Sequence, residues 1–374
     1  MFIKNIFINN FRNYKSLSLN FNKGINIIIG NNAQGKTNLL ESIYVLGLTK
    51  SHRSFIDNNL INSIEKKARI KGNIIIENFS KELEITIQKN SKILKIDKNT
   101  IKKTSDYISN MNIIIFYPED LDLVKGSPNI RRRYLNLELS QLYSNYINII
   151  NDYNKLLKMR NDYLKQKNVD NNYLDIITNY LIDKSILIYK MRNKFVIKLN
   201  EKIEKIFFDI SNFHNFNIKY INSIKFLNYE EEYLKMKLNE EFENIRVKEL
   251  KYKSTLIGPH KDDIEFYLED MNLKNLGSQG QQRIAILSLK LAEIDIFKKY
   301  KGETPILLLD DVFSELDENK KNNLLKYINE EIQTIITTTD INNIDKSIIN
   351  KSKIIEIEEG NIKNIEEVEE DGTK

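Results

Sequence analysis

Over the first third of the chain, apolar and polar positions alternate in short runs. Residues 2–8, 17–21 and Ile25–Ile29 carry alternating or β-branched apolar side chains, the period-two signature of strands with a buried face. From Lys36 to about Gly47 the apolar positions take helical spacing. Alternation resumes at 68–76, 83–88 and 93–96, and 112–117 reads as a buried strand closed by Pro118. Residues 129–210 differ: they hold no Gly and no Pro, and Leu135, Leu139, Leu142, Tyr146, Ile149 and Tyr153 recur at helical intervals. This pattern predicts two long helices, about 131–167 and 173–209, joined by the polar turn 167–172. Paired antiparallel, they would form an arm ~55 Å long at 1.5 Å per residue; a subdomain of shorter, kinked helices fits the same spacing. Beyond about 250 the strand–helix rhythm returns, with strands at Asp263–Leu268, 306–309 and Thr334–Thr338 and helices at 281–299 and 318–331. The expectation is one α/β domain made by both chain ends, 1–117 and 251–374, interrupted by a helical lobe at 118–250.

Composition narrows the chemistry. The 374 residues contain no cysteine and three histidines (His52, His214, His260), which excludes disulfides, thiolate chemistry, Cys-based zinc sites and iron–sulfur clusters. No apolar run approaches the ~20 residues of a membrane span, and the first residues lack a secretory apolar stretch, so a cytoplasmic location is expected. The formal net charge is +5. Residues 355–374 hold eight acids and two lysines, leaving the remaining chain at about +11. A basic body with an acidic end suits a polyanionic partner, and the tail itself reads as a solvated terminus.

Three motifs carry the chemistry. Gly30-Asn31-Asn32-Ala33-Gln34-Gly35-Lys36-Thr37 matches GxxxxGK[ST], the P-loop, between an apolar strand and a helix. Its glycines permit close backbone approach. Its N–H groups converge on phosphates at the positive end of the helix. Lys36 reaches the β- and γ-phosphates of ATP, and the Thr37 hydroxyl ligates Mg²⁺. Ile306-Leu307-Leu308-Leu309-Asp310-Asp311 is a Walker B pattern: a buried strand delivering Asp310 to Mg²⁺ and Asp311 to the attacking water. Ser278-Gln279-Gly280-Gln281, opening a long helix about 25 residues before that strand, is the signature loop of ABC-type ATPases. In that class it binds the γ-phosphate held by a second subunit. The fold class is therefore α/β, an ABC-type P-loop ATPase with mixed sheets and an inserted helical arm lobe.

Ser314-Glu315-Leu316-Asp317 occupies the D-loop place. Thr337-Thr338-Thr339-Asp340 ends the next strand, where many ABC ATPases carry a switch histidine. Threonine is a poor proton acceptor at neutral pH, and Asp311 is shorter than the usual Glu. Both departures predict hydrolysis far slower than that of pumping ATPases, and only in a dimer.

The ~240 residues between P-loop and signature loop exceed the usual transporter spacing, yet the insertion is too short for a chromosome-organiser arm. There is no Cys-x-x-Cys for a zinc hook. Within this class the chain resembles the RecF family of bacterial recombination-mediator ATPases. The matching segments are Asn10-Phe11-Arg12-Asn13-Tyr14, the P-loop, Leu48-Thr49-Lys50-Ser51-His52-Arg53 and Phe116-Tyr117-Pro118-Glu119-Asp120-Leu121. Lys125-Gly126-Ser127-Pro128, Arg131-Arg132-Arg133-Tyr134-Leu135, Gly258-Pro259-His260-Lys261-Asp262-Asp263, the signature loop and the stretch from Asp310 to Asp317 complete it. Lys261 stands where the family pattern has Arg. The resemblance implies ATP-dependent homodimerisation, binding of double-stranded DNA, gapped DNA and single-strand/duplex junctions, cooperation with RecO and RecR, and support of gap repair, replication restart and the SOS response.

The residues alone leave two rivals open: an ATPase subunit energising a membrane partner, and a nucleotide-gated protein scaffold. They also leave the DNA surface unplaced among Arg131–Arg133, Lys50 and Arg53, Lys66, Lys67, Arg69 and Lys71, and the lobe cations Lys184, Lys190, Arg192 and Lys194. His52 and His260 read as structural or phosphate-side hydrogen-bonding groups, and His214 as a strand-surface residue.

Overall fold

The computed structural model describes residues 1–54, 56–328 and 331–367; the side chains of Ser314, Glu315, Glu318, Asn343, Ser347 and Glu367 are also outside the description. The end of the acidic tail, 368–374, and the D-loop side chains of Ser314 and Glu315 thus lie outside the described residues. The chain divides into two compact units, one of Met1–Asp120, Asp209–Asn212 and Leu287–Lys374, the other of Leu121–Phe208 and Phe213–Ile286. The second unit therefore takes in residues 251–286, including the Ser278 loop, which the strand–helix rhythm places with the C-terminal half.

The first unit holds two six-stranded sheets. One is antiparallel, in the order Tyr14–Asn20 (β2), Phe2–Phe11 (β1), Lys67–Ile76 (β4), Phe79–Gln88 (β5), Ser91–Ile96 (β6) and Asn99–Ile101 (β7). The other runs Asn361–Glu367 (β15), Lys353–Glu358 (β14), Ile25–Ile29 (β3), Thr334–Thr338 (β13), Ile306–Asp310 (β12) and Ile113–Phe116 (β8). Its strands are parallel except β15. Strands β8, β12 and β13 are buried at every position, as a parallel sheet covered on both faces requires. The helix Lys36–Leu48 lies between the sheets, touching β1, β4 and β5 of one and β8, β12 and β13 of the other. That placement explains why it is apolar nearly all round rather than on one stripe.

Residues 353–367 correct one expectation. They are not part of a solvated acidic tail but a hairpin that extends the parallel sheet. Ile355 and Ile357 are buried beside Glu356 and Glu358, and the alternation is masked by the acid count. The helix expected over 318–331 is shorter, Glu318–Leu325.

The second unit contains the helices Pro128–Leu142, Tyr146–Leu164, most of Asn171–Ser211, and Glu231–Tyr252. It also has a small antiparallel sheet of Met271–Asn272 (β11), Asp263–Leu268 (β10) and Phe216–Ile221 (β9). The single helix expected over 131–167 is broken at Tyr143, whose backbone is extended. Ser144 and Asn145 follow, residues that compete with helix through local hydrogen bonds. Its interior holds charged pairs: Arg160 donates to Glu249 at 2.6 Å and to Thr178 and Thr255 at 2.9 Å each, with both charged groups buried. Among the described residues no helix is long and apolar enough to cross a membrane.

Candidate nucleotide site

Strand β3 ends at Ile29, and the chain turns through Gly30 (φ 153°), Ala33 (φ 64°) and Gly35 (φ 115°) into the helix Lys36–Leu48. Two of these positions admit only glycine. A Cβ on Gly30 would lie 2.4 Å from the Ile357 carbonyl oxygen, and one on Gly35 would lie 2.7 Å from Asn13 Nδ2 and 2.9 Å from the Tyr14 hydroxyl. The first N–H groups of the helix have no intrahelical partner and point where an anion would sit. Lys36 Nζ curls over the loop and donates to the carbonyls of Gly30 at 2.6 Å and Asn31 at 2.8 Å. Burial lowers its pKa, opposed by the charges of Asp311 and Asp310.

Asp310 ends β12 and meets the P-loop helix across the sheet. Thr37 Oγ1 donates to its Oδ1 at 3.0 Å, and Thr337 Oγ1, from β13, donates to the same oxygen at 2.6 Å. Burial raises the Asp310 pKa, and the hydrogen bonds from Thr337 and Thr37 and the charge of Arg53 oppose that rise. A hydroxyl and a carboxylate oxygen in contact form a hard-oxygen pair that fits Mg²⁺, which takes one or two protein ligands and completes its shell with water and phosphate. Among the described residues no cluster of three or more His, Asp or Glu could hold a metal without such help. Asp311 takes a left-handed conformation (φ 53°), and its N–H donates to the carbonyl and the hydroxyl of Thr337 at 3.2 and 3.1 Å. Thr337 therefore fixes both Walker B acids, a role that the sequence pattern did not assign to it.

These groups line a cleft of about 450 Å³ with Asn32, Ala33, Asn38, Arg53, Pro118, Glu119 and Thr339. Arg53, considered from sequence as a DNA contact, thus lies in this cleft and donates to Asn38 Oδ1 at 3.1 Å. Behind it, Arg12 clamps the fully buried Glu41 of the P-loop helix through two 2.8 Å bonds, and Ser51 donates to the same carboxylate at 2.5 Å. Burial opposes ionisation of Glu41, but the bonds from Arg12 and Ser51 prevail and hold its pKa below the usual value. A concavity of about 540 Å³ on the second unit, lined by Lys155, Met159, Tyr163 and Tyr173 among others, has none of this machinery.

Ser278, Gln279, Gly280 and Gln281 belong to the second unit and do not line the cleft. They form a capping box: the Ser278 N–H donates to Gln281 Oε1 at 2.9 Å and the Gln281 N–H to Ser278 Oγ at 3.2 Å. The loop is open to solvent, a Cβ on Gly280 would meet nothing, and the neighbouring Leu276 is 71% exposed.

Several candidate DNA cations are otherwise engaged. Arg131 is buried and pairs with Asp263 at 2.6 and 2.8 Å; Arg192 is buried among Asp262, Asn136 and the Pro259 carbonyl. Arg132 donates to the Asp262 carbonyl. Lys184 pairs with Asp152, Lys190 with Glu231, Arg69 with Glu84 and Lys71 with Glu82. His52 packs against the rings of Tyr44 and Tyr117. His260 bonds the Tyr153 hydroxyl at 2.5 Å, and burial pushes its pKa down to about 4, so it is neutral at pH 7. His214 is not on a strand: it stacks on Phe208 in the turn before β9.

A P-loop, a Walker B strand beside it and a Ser-x-Gly-Gln helix tip, on an α/β fold with a large insertion, define an ABC-type ATPase head. The family described as RecF/RecN/SMC N terminal domain matches residues 2–363. The DNA replication and repair protein RecF of Listeria monocytogenes serotype 4b (strain CLIP80459) is 41% identical over 97% of this chain and 100% of its own length. RecF of Streptococcus gordonii is 41% identical over 97% of this chain and 100% of its own. Among solved structures, that of the recombination mediator protein RecF-ATP in the RecFOR pathway matches with TM-score 0.88 and 34% identity, covering 98% of this chain and 97% of that one. An Smc head bound to a domain of ScpA shares the fold alone, at TM-score 0.55 and 17% identity. The chain belongs to the RecF family of DNA replication and repair proteins.

Proposed function

We propose that this protein binds ATP–Mg²⁺ and uses it to dimerise on DNA as a recombination mediator. The residues assigned to the nucleotide are Gly30 to Thr37. Thr37 and Asp310 hold Mg²⁺, and Asp311 orients water. Ser278–Gln281 caps the γ-phosphate of a second copy. Double-stranded DNA, gapped DNA and single-strand/duplex junctions are the substrates, and RecO and RecR the partners. The observation that carries this reading is the pairing of two half-sites on one chain. One is a phosphate cleft with its metal oxygens in register; the other is a capped helix tip standing open to solvent beside an exposed Leu276. The RecF-ATP structure of the RecFOR pathway, matched along nearly the whole chain, supports the choice of nucleotide and partners. Hydrolysis is slow, because threonines stand in the place of the switch histidine and Asp311 is shorter than the usual Glu, its backbone anchored to Thr337.

Ser278→Arg places a bulky cation in the open helix tip. It should leave ATP affinity unchanged and abolish ATP-driven dimerisation measured by light scattering; dimerisation persisting in that variant would refute the sandwich. Titrating duplex DNA with and without ATP at two salt concentrations should show ATP-dependent affinity with a steep salt slope. A flat response to ATP would favour a protein scaffold instead.

A further inference from the structure

A P-loop binds phosphate through its N–H groups, so its carbonyls must face the other way and find partners on the outer side. Lys36 serves the carbonyls of Gly30 and Asn31. The Tyr14 hydroxyl donates to that of Gly35 at 3.0 Å. The carbonyl of Gln34 is served from the other end of the chain: the Gly360 N–H donates to it at 3.0 Å, with Asn13 Nδ2 at 3.4 Å. The Gln34 side chain makes a second bond to the same turn, its Oε1 accepting from the Glu359 N–H at 2.5 Å.

Glu359 and Gly360 are the two central residues of the β14–β15 hairpin, which pairs Glu358 with Asn361. Both have positive φ, 49° and 75°, the geometry of a tight two-residue turn. Such a turn leaves its central N–H groups pointing outward, and here both point at Gln34. The same hairpin places the Ile357 carbonyl against Gly30, the first P-loop glycine. One hairpin therefore touches the P-loop at its start and near its end.

We propose that the β14–β15 turn and Gln34 form a brace that keeps the P-loop carbonyls turned away from the phosphates. Nucleotide affinity and closure of this C-terminal hairpin are then coupled. Were the brace open, the Gln34 peptide could rotate, and its carbonyl would face phosphate oxygens and repel them. By reciprocity, bound nucleotide tightens the turn, and any partner that pulls the hairpin away weakens ATP. Gln34 is here a positioning residue. The proposal rests on the cleft being an ATP site.

The test uses the 374-residue chain, with Gln34→Met removing the side-chain acceptor at constant length and Gly360→Val opening the turn from the hairpin side. ATP affinity should fall about tenfold in Gln34→Met, the loss of roughly one hydrogen bond, and at least as far in Gly360→Val, which releases both. In the double variant it should fall no further than in Gly360→Val alone, because opening the turn already releases the Gln34 side chain. Melting without nucleotide should be unchanged in Gln34→Met. In the unsubstituted protein, ATP should slow hydrogen exchange at the Glu359 and Gly360 amides, and in Gln34→Met it should no longer do so at Glu359, whose acceptor is gone. Unchanged affinity in Gln34→Met, exchange indifferent to ATP, or a loss of affinity matched by lower nucleotide-free melting would each overturn the brace. Failure of the unsubstituted protein to bind ATP would instead sink the reading of the site. If Gly360→Val does not fold, Gln34→Met with the exchange measurement decides.

Discussion

Replacing Arg12 with methionine would show how much of the site's rigidity comes from one ion pair. Methionine keeps most of the apolar stem and removes the charge. Arg12 makes two 2.8 Å bonds to Glu41 and a third, at 2.9 Å, to the Asn59 carbonyl. Glu41 has no exposed surface, so its carboxylate cannot rehydrate in place. Two charge-assisted bonds at ~1.5–3 kcal/mol each, and breakage of a buried pair at ~3–5 kcal/mol, bracket the loss. The Arg12 side chain is 22% exposed and Arg53 stands 4.0 Å from the same carboxylate, so the low end applies, about 3 kcal/mol at pH 7. Urea unfolding followed by tyrosine fluorescence reads it, since the chain has no tryptophan. Arg12→Lys should lose roughly half as much, keeping charge but not the fork. Adding Glu41→Gln to Arg12→Met should restore stability, because it removes the stranded charge.

The pH dependence has a fixed sign. Glu41 is held below its ordinary value when folded. Its contribution is therefore complete above the unfolded value of about 4.3 and is lost as pH falls through the folded value. Without Arg12, burial dominates and raises the Glu41 pKa, so the deficit of Arg12→Met should shrink on mild acidification. A deficit under about 1 kcal/mol, or one constant from pH 7 to 4.5, would refute the reasoning.

Three further predictions concern the site and the interior of the second unit. Gly30→Ala should abolish measurable ATP binding by calorimetry, since its Cβ would lie 2.4 Å from the Ile357 carbonyl oxygen. Thr337→Val, which removes a 2.6 Å bond to Asp310 and the hydroxyl that receives the Asp311 N–H, should weaken Mg²⁺ dependence of nucleotide binding about tenfold, and Thr337→Ser should restore it. Because burial already raises the Asp310 pKa, Mg²⁺ affinity in the valine variant should also fall off at a higher pH than in the unsubstituted protein. Arg160→Met should cost ~3–5 kcal/mol by leaving Glu249 buried and uncompensated, with nucleotide affinity measured alongside and expected to be unaffected.

Much of the local order is legible in the pattern, though not the break at Tyr143 or the helix end at Leu325. Gly30 and Gly35 announce a tight turn between strand and helix, which the left-handed backbone there bears out, and Ile306 to Leu309 announces a buried strand because each of these positions is apolar. What could not be read was whatever depends on partners distant in the chain. Thr337 clamps Asp310 and Asp311 from 26 or more residues away, Glu359 and Gly360 reach Gln34 from the far terminus, and Arg131 and Arg192 look like surface cations until Asp263 and Asp262 are seen to bury them. Charge and polarity are properties of a residue, but exposure is a property of its neighbours. Neighbours 130 or more positions apart are set only when the sheets and helices close around the core.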